Sequence, residues 1–185
     1  RFGVRDDDGR MISLHFLPEE TQNEIIATGE RLSDEMVVAD LESIIGRLAL
    51  SEPVDVGAMG GVGYCMGGRH VFRAAGHYPE NFRAVASLHG TDLVTDSPGS
   101  PHLLAARMTG ALYCGYGELD RFSPPELIAA MEAFCAPLDV NYSHTVHIDV
   151  DHGYALPDRD IHDADATATD WANIMIMFNT HLMSR

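Results

Sequence analysis

Apolar positions along the chain fall into two alternating rhythms. Over residues 35–49, Val37, Val38, Leu41, Ile44, Ile45 and Leu48 recur at three- and four-residue intervals, which predicts a helix with one buried face, capped by Ser33 or Asp34. Residues 54–64 form a short run of apolar and small side chains that reads as a buried strand, although Gly57, Gly60, Gly61 and Gly63 make it a poor one intrinsically. A helical stretch over 67–77, a compact strand Ala84–Leu88, a loop rich in Ser, Pro and Gly at 95–101 and a second strand Ala111–Gly115 follow. Pro124 and Pro125 open a helix that carries Leu127, Ile128, Met131 and Phe134 on one side. Alternation at Tyr142, His144, Val146 and Ile148 predicts a further strand, then a polar loop over 149–164. A last helix over 166–183 bears Trp171, Ile174, Met175, Phe178 and Leu182. Strands separated by helices predict an α/β domain whose mainly parallel sheet is covered by helices on both faces.

Length and charge narrow this picture. With 185 residues, 45% of them hydrophobic, the chain fits one globular domain over 1–185 and has enough apolar mass for a sizeable core. Its net charge is −16, from 12 basic and 28 acidic residues, and every basic residue is Arg. A groove for phosphate backbones is not expected on such a surface, so no nucleic-acid partner is expected. The longest apolar runs fall far short of the roughly 18 residues that span a bilayer, and no leader-like segment opens the chain, so no membrane partner is expected either. Cys65, Cys114 and Cys135 are an odd number, widely spaced and without a CxxC pair, which reads as free thiols in a reducing cytoplasm. The chain begins at Arg1, not Met, and passes through a charged stretch at residues 5–10, as a fragment or a processed chain would.

The sharpest local feature is Gly63-Tyr64-Cys65-Met66-Gly67-Gly68, at the junction of a predicted strand and a predicted helix. It has the form of the nucleophile elbow, G-x-S-x-G, with Cys in place of Ser. In such a turn the nucleophile adopts a strained backbone conformation, and glycines two residues to either side are expected because side chains there would collide with strand or helix. The helix start favours a thiolate at Cys65, and the Met66 N–H is placed to donate to an oxyanion. Cys114 and Cys135, on an apolar strand and an apolar helix face, read as core residues.

A thiol nucleophile of this kind works with an imidazole that takes its proton and a carboxylate that orients the imidazole. Asp120, in the loop after the strand ending near Gly115, and His152, in the loop after the last strand, follow Cys65 in the order nucleophile, acid, base. Both loops leave the same edge of a parallel sheet, where ligands of open α/β sheets sit. Glu118 is the rival to Asp120 and otherwise a solvated loop carboxylate. His144 and His147 project to opposite faces of one strand, a poor geometry for a metal pair, so no metal site is expected. Among the remaining histidines His89 ends a strand and is placed to line the pocket. The acidic run Asp158, Asp160, Asp163 and Asp165 reads as a solvated loop.

These residues resemble the dienelactone hydrolase family of the α/β-hydrolase superfamily. The resemblance rests on Gly63–Gly68, on Gly117-Glu118-Leu119-Asp120 and on His152-Gly153-Tyr154, with the acidic loop and aromatic helix after them, and covers roughly residues 35–183. It implies an α/β-hydrolase fold, Cys65 as nucleophile, His152 as general base, Asp120 as its orienting acid, and small lactones or activated esters as substrates, with no metal or organic cofactor. Members of the family carry upstream strands, an oxyanion loop and a Glu near the nucleophile that have no counterpart here, and are longer by about a quarter; the N-terminal strands are therefore expected to be missing, leaving the C-terminal three-quarters of the fold. Some members place an Arg four residues after the catalytic His, where this chain has Leu156. Arg159 lies near that position, and Arg1 echoes an arginine the family carries after its third strand; with Tyr64, His89 and Tyr154 they are the candidate substrate contacts. The expected function is hydrolysis of small esters or lactones through an acyl-cysteine, in the cytoplasm, with a homo-oligomer as the one assembly left open. Alternatives are a silent binding or scaffold protein on the same fold, and a thiol redox sensor at Cys65, for which no resolving Cys lies nearby.

Overall fold

The computed structural model describes residues 4–29, 31–50 and 54–183, with the side chain of His15 excepted. Helices α1 (Glu19–Gly29) and α2 (Asp34–Leu48) precede strand β1 (Met59–Tyr64), followed by α3 (Met66–His77), β2 (Phe82–Leu88), a 3-10 helix (Pro101–Arg107), β3 (Ala111–Gly117), α4 (Pro125–Cys135), β4 (Asn141–His147) and α5 (Ala164–Leu182). The four strands lie side by side in chain order, and all three pairs are parallel. Every strand therefore ends at the same edge of the sheet, which collects Cys65 after β1, His89 after β2, Asp120 after β3 and His152 after β4.

The pleat divides the core into two layers. Leu112, Cys114 and Tyr116 of β3 pack with Phe72, Ile128 and Met131 of α3 and α4 on one face. Tyr113 of β3 and Ala86 and Leu88 of β2 face Ile174 of α5 on the other, with Tyr154 and Val150 of the loop after β4. All seven residues of β3 are buried, as expected of an inner strand covered on both sides. Phe72, Leu112, Met131 and Ile174 are wholly buried, and each such side chain stabilises the fold by about 1.5–3 kcal/mol. β4 lies at the end of the sheet, with Asn141, Ser143 and Val146 exposed and its other residues half-buried.

The helix starts follow the sequence. Ser33 caps α2 by accepting from the Met36 N–H, Pro124 and Pro125 open α4, and Asp163 caps α5 by accepting from the Ala166 N–H. The strand expected over 54–64 is confined to Met59–Tyr64; before it Asp55 Oδ1 accepts from Gly57 N, which closes a turn instead. Helix α1 was outside the periodicity argument. It carries only Ile25 and Ile26 as large apolar residues, too few to set up a stripe, and it buries no residue. No helix among the described residues is long and apolar enough to cross a membrane.

Candidate active site

Cys65 stands alone between β1 and α3 with φ 54° and ψ −123°, in the left-handed half of conformational space. Strain of this kind costs on the order of 1–3 kcal/mol and persists only where the surroundings enforce it. Here the Cys65 N–H donates to the Leu88 carbonyl at 3.1 Å and to His89 Nδ1 at 3.2 Å, while its carbonyl accepts from Gly68 N and Thr91 N. A Cβ at Gly63 would lie 2.0 Å from the Gly67 carbonyl oxygen, and one at Gly68 would lie 2.4 Å from Ser87 Oγ. Gly67 faces open space. The steric demand expected two residues after the nucleophile therefore falls three residues after it, where α3 crosses the end of β2.

Three side chains from separate loops meet at the strand ends. His152 Nε2 lies 3.2 Å from Cys65 Sγ, and His152 Nδ1 lies 2.8 Å from Asp120 Oδ2. Asp120 is 2% exposed, and its second oxygen accepts from the Phe122 N–H at 2.9 Å. Its rival Glu118 turns away and accepts from the Asp149 N–H. Burial alone would raise the Cys65 pKa, but the hydrogen bond and charge of His152, the Met66 N–H and the charge of Arg159 outweigh it and hold the thiol below its ordinary value. For His152, burial opposes the charged form, yet the hydrogen bonds and charges of Asp120 and Cys65 raise the imidazole to about 9. The two shifts favour a thiolate beside an imidazolium. Cys114 and Cys135 differ: burial pushes them up to about 12 and about 11.

Behind this line lies a second polar cluster that motif reasoning did not find. Asp170 of α5, fully buried, accepts from Tyr113 Oη at 2.7 Å and from Tyr154 Oη, and meets His147 Nε2 at 2.8 Å. The ring of Tyr154 packs edge-on against His89 and His147, and the ring of His89 packs edge-on against His152. A contiguous chain of contacts thus runs from α5 to the nucleophile. Burial and the charge of His152 lower His89 to about 3, so it is neutral; with Nδ1 accepting from Cys65, its proton sits on Nε2. His147 was weighed as half of a metal pair, and the strand does send His144 to the opposite face, against Tyr116 and Tyr142. The available signal for Asp170 was its place one turn before the apolar Ile174, on the side of α5 that the periodicity buries, where a carboxylate is costly unless paired.

A cavity of about 500 Å³ opens beside Cys65 and His152, and His89, Arg121 and Arg159 share its wall. Of the other expected contacts, Tyr154 is fully buried behind the site, and Tyr64 and Met66 stand outside the cavity wall. Arg1 lies outside the described residues. The acidic run is not simply solvated: Asp160 accepts from the backbone and hydroxyl of Ser13, and Asp163 caps α5.

The model of the dienelactone hydrolase family matches residues 15–182. The chain is 26% identical over 164 residues to a protein of Synechocystis sp. named "Putative carboxymethylenebutenolidase", an alignment covering 85% of this chain and 66% of that one. It is 30% identical over 124 residues to hydrolase pyvD of Aspergillus violaceofuscus, covering 67% of this chain and 44% of that one. The chain thus spans less than two thirds of the length of either relative. Among solved structures, the "Putative Dienelactone Hydrolase" of Klebsiella pneumoniae superposes with a TM-score of 0.75 at 19% identity, over 90% of this chain and 69% of that one. At that identity the likeness establishes a shared α/β-hydrolase fold.

Proposed function

The chain belongs to the dienelactone hydrolase family, a family of hydrolases, and on that premise we propose that it cleaves esters or lactones through Cys65, His152 and Asp120. The observation that carries the reading is the unbroken polar line from Cys65 Sγ through both nitrogens of His152 to Asp120.

In the proposed acylation the Cys65 thiolate attacks the ester carbonyl carbon, and a C–S bond forms. The carbonyl oxygen becomes an oxyanion, and the Met66 N–H, which already donates toward Sγ, is the donor available to it from the elbow. As the intermediate collapses, the C–O bond breaks and the His152 imidazolium gives its Nε2 proton to the departing alkoxide or enolate. This leaves an acyl-cysteine thioester and a neutral imidazole. Water then attacks the thioester carbonyl, His152 takes its proton, and the thiolate leaves with the carboxylic acid as product. Asp120 keeps the Nδ1 proton directed away from Sγ, which presents Nε2 to the reaction. A lowered thiol pKa makes a good nucleophile but also a good leaving group, so activated, ring-strained or enol esters suit this site better than amides. Arg159, on the cavity wall and close enough to Cys65 to stabilise its thiolate, is the candidate contact for a polar or anionic group of the substrate.

The reading is tested with an activated phenyl ester. The protein is expected to turn it over, Cys114→Ala to retain most of that rate, and Cys65→Ala to lose it by a factor of a thousand or more, the scale on which single nucleophiles act. Full activity in Cys65→Ala would reject the assignment.

A further inference from the structure

The cavity beside Cys65 is larger and more apolar than the attack on a small ester requires, and its apolar side chains come from three separate parts of the chain. Leu119 and Phe122 flank Asp120 on one side, Leu156 follows His152 on another, and Leu17 and Ile25 roof it from the N-terminal segment. That roof is built into the fold. Ser13, 2% exposed, holds Asp160 through both its N–H and its hydroxyl. Met11 N donates to the Asp158 carbonyl at 2.6 Å, and its carbonyl accepts from Asp160 N at 3.2 Å.

Polar groups on the wall are few and mostly engaged. Ser13 is used by Asp160, and the Arg121 guanidinium lies 4.9 Å over the Phe122 ring, which itself packs edge-on against His152. Arg159 Nε is buried without a hydrogen-bond partner. A volume of about 500 Å³ falls in the range of pockets that enclose drug-sized ligands, which bind through apolar contact with a few placed polar groups. A small polar lactone would leave most of this wall facing water.

We propose that the substrate of this site is an ester carrying a bulky apolar group, a medium-length alkyl chain or fused aromatic rings, which packs against Leu17, Ile25, Phe122 and Leu156 while an oxygen of the substrate accepts from Arg159. The proposal rests on reading Cys65 as the nucleophile of an esterase. Cys65 and His152 both line the cavity, so either side of the scissile ester can enter the apolar space. Both the acyl and the alcohol part are therefore varied in the test.

Two series are compared: p-nitrophenyl esters from acetate to decanoate, and acetates of phenol and 1-naphthol. Burial of a methylene is worth about fourfold in affinity, so kcat/KM is expected to rise on the order of a hundredfold from acetate to hexanoate, or by about tenfold or more from phenyl to naphthyl acetate. Leu156→Arg and Ile25→Trp, which place a charge or bulk in the cavity, should flatten whichever rise is seen. The same esters are titrated calorimetrically into Cys65→Ala, which reads binding without turnover. Affinity rising with apolar size there supports the proposal even if no ester is hydrolysed, a result that would count against the esterase reading alone. Rates and affinities that stay flat or fall with apolar size in both series would overturn the proposal and leave the nucleophile assignment standing on its own test.

Discussion

Tyr154, two residues beyond His152, donates its hydroxyl to the buried carboxylate of Asp170 while its carbonyl accepts from Thr167 Oγ1, and these bonds tie the loop that carries the imidazole to α5. Asp170 also holds Tyr113 and His147. Tyr154→Phe removes one of three partners and is expected to cost about 1–3 kcal/mol in denaturant unfolding, whereas Asp170→Ala takes the shared acceptor from Tyr113, Tyr154 and His147 at once and should cost about 3 kcal/mol or more. Because the Tyr154 ring also backs His89, Tyr154→Phe, which keeps that ring, should disturb kcat less than Tyr154→Ala. Equal losses in kcat for the two variants would show that the ring does not support the site.

His89 acts on the elbow from the side. Its Nδ1 accepts from the N–H of the strained Cys65, so His89→Leu leaves that donor with the Leu88 carbonyl alone and removes an edge contact from His152. A loss of about 1 kcal/mol of support, some five- to tenfold in kcat with little change in KM, is expected. His89→Asn, which restores an acceptor, should recover part of it.

The opposite shifts of Cys65 and His152 give a defined pH response. Alkylation of Cys65 should rise with pH below the ordinary range of thiols, since its folded pKa is lowered, and ester turnover should fall at high pH as His152, raised to about 9, loses the proton destined for the leaving group. For stability the sign follows from the raised imidazole. Its contribution is complete below the unfolded value near 6.5 and is lost as pH rises through about 9. The lowered Cys65 thiol contributes with the opposite sign over the same range, so denaturant midpoints between pH 6 and pH 10 are compared in Cys65→Ala, where adding Asp120→Asn should shrink the slope left by the imidazole. An unchanged slope in Asp120→Asn would contradict the charge-based account.

The three thiols should separate cleanly. Cys114 and Cys135 are buried, with pKa values pushed up to about 12 and about 11, so iodoacetamide at neutral pH should label Cys65 alone in the folded protein and all three after denaturation. Labelling of Cys114 at a comparable rate in the native state would mean that the sheet interior opens far more readily than its packing implies.

What could be read in advance followed physical rules that act locally. The elbow was legible because a strained turn between strand and helix confines the residue types around Cys65, and Asp120 and His152 were legible because parallel strands send their following loops to one edge. His147 and Asp170 were not, since their partnership joins a strand end to a helix that periodicity places on the apolar side but cannot orient residue by residue. The roof over the cavity escaped for a related reason: Met11 and Ser13 are held by backbone and by Asp160, contacts between segments nearly 150 residues apart that leave no rhythm in either segment. Asp160 and Asp163 looked solvated because a carboxylate in a polar loop shows its capping or bridging role only once its partner is brought to it.

The central claim is a covalent acyl-cysteine at Cys65. Mixing the protein with an activated ester, quenching with acid within the first turnover and measuring the intact mass gives the most direct test. A population heavier by one acyl group, mapped to the peptide containing Cys65 and absent from Cys65→Ala, is the result expected; hydrolysis that proceeds with no acyl adduct at any quench time, and at an undiminished rate in Cys65→Ala, would contradict it.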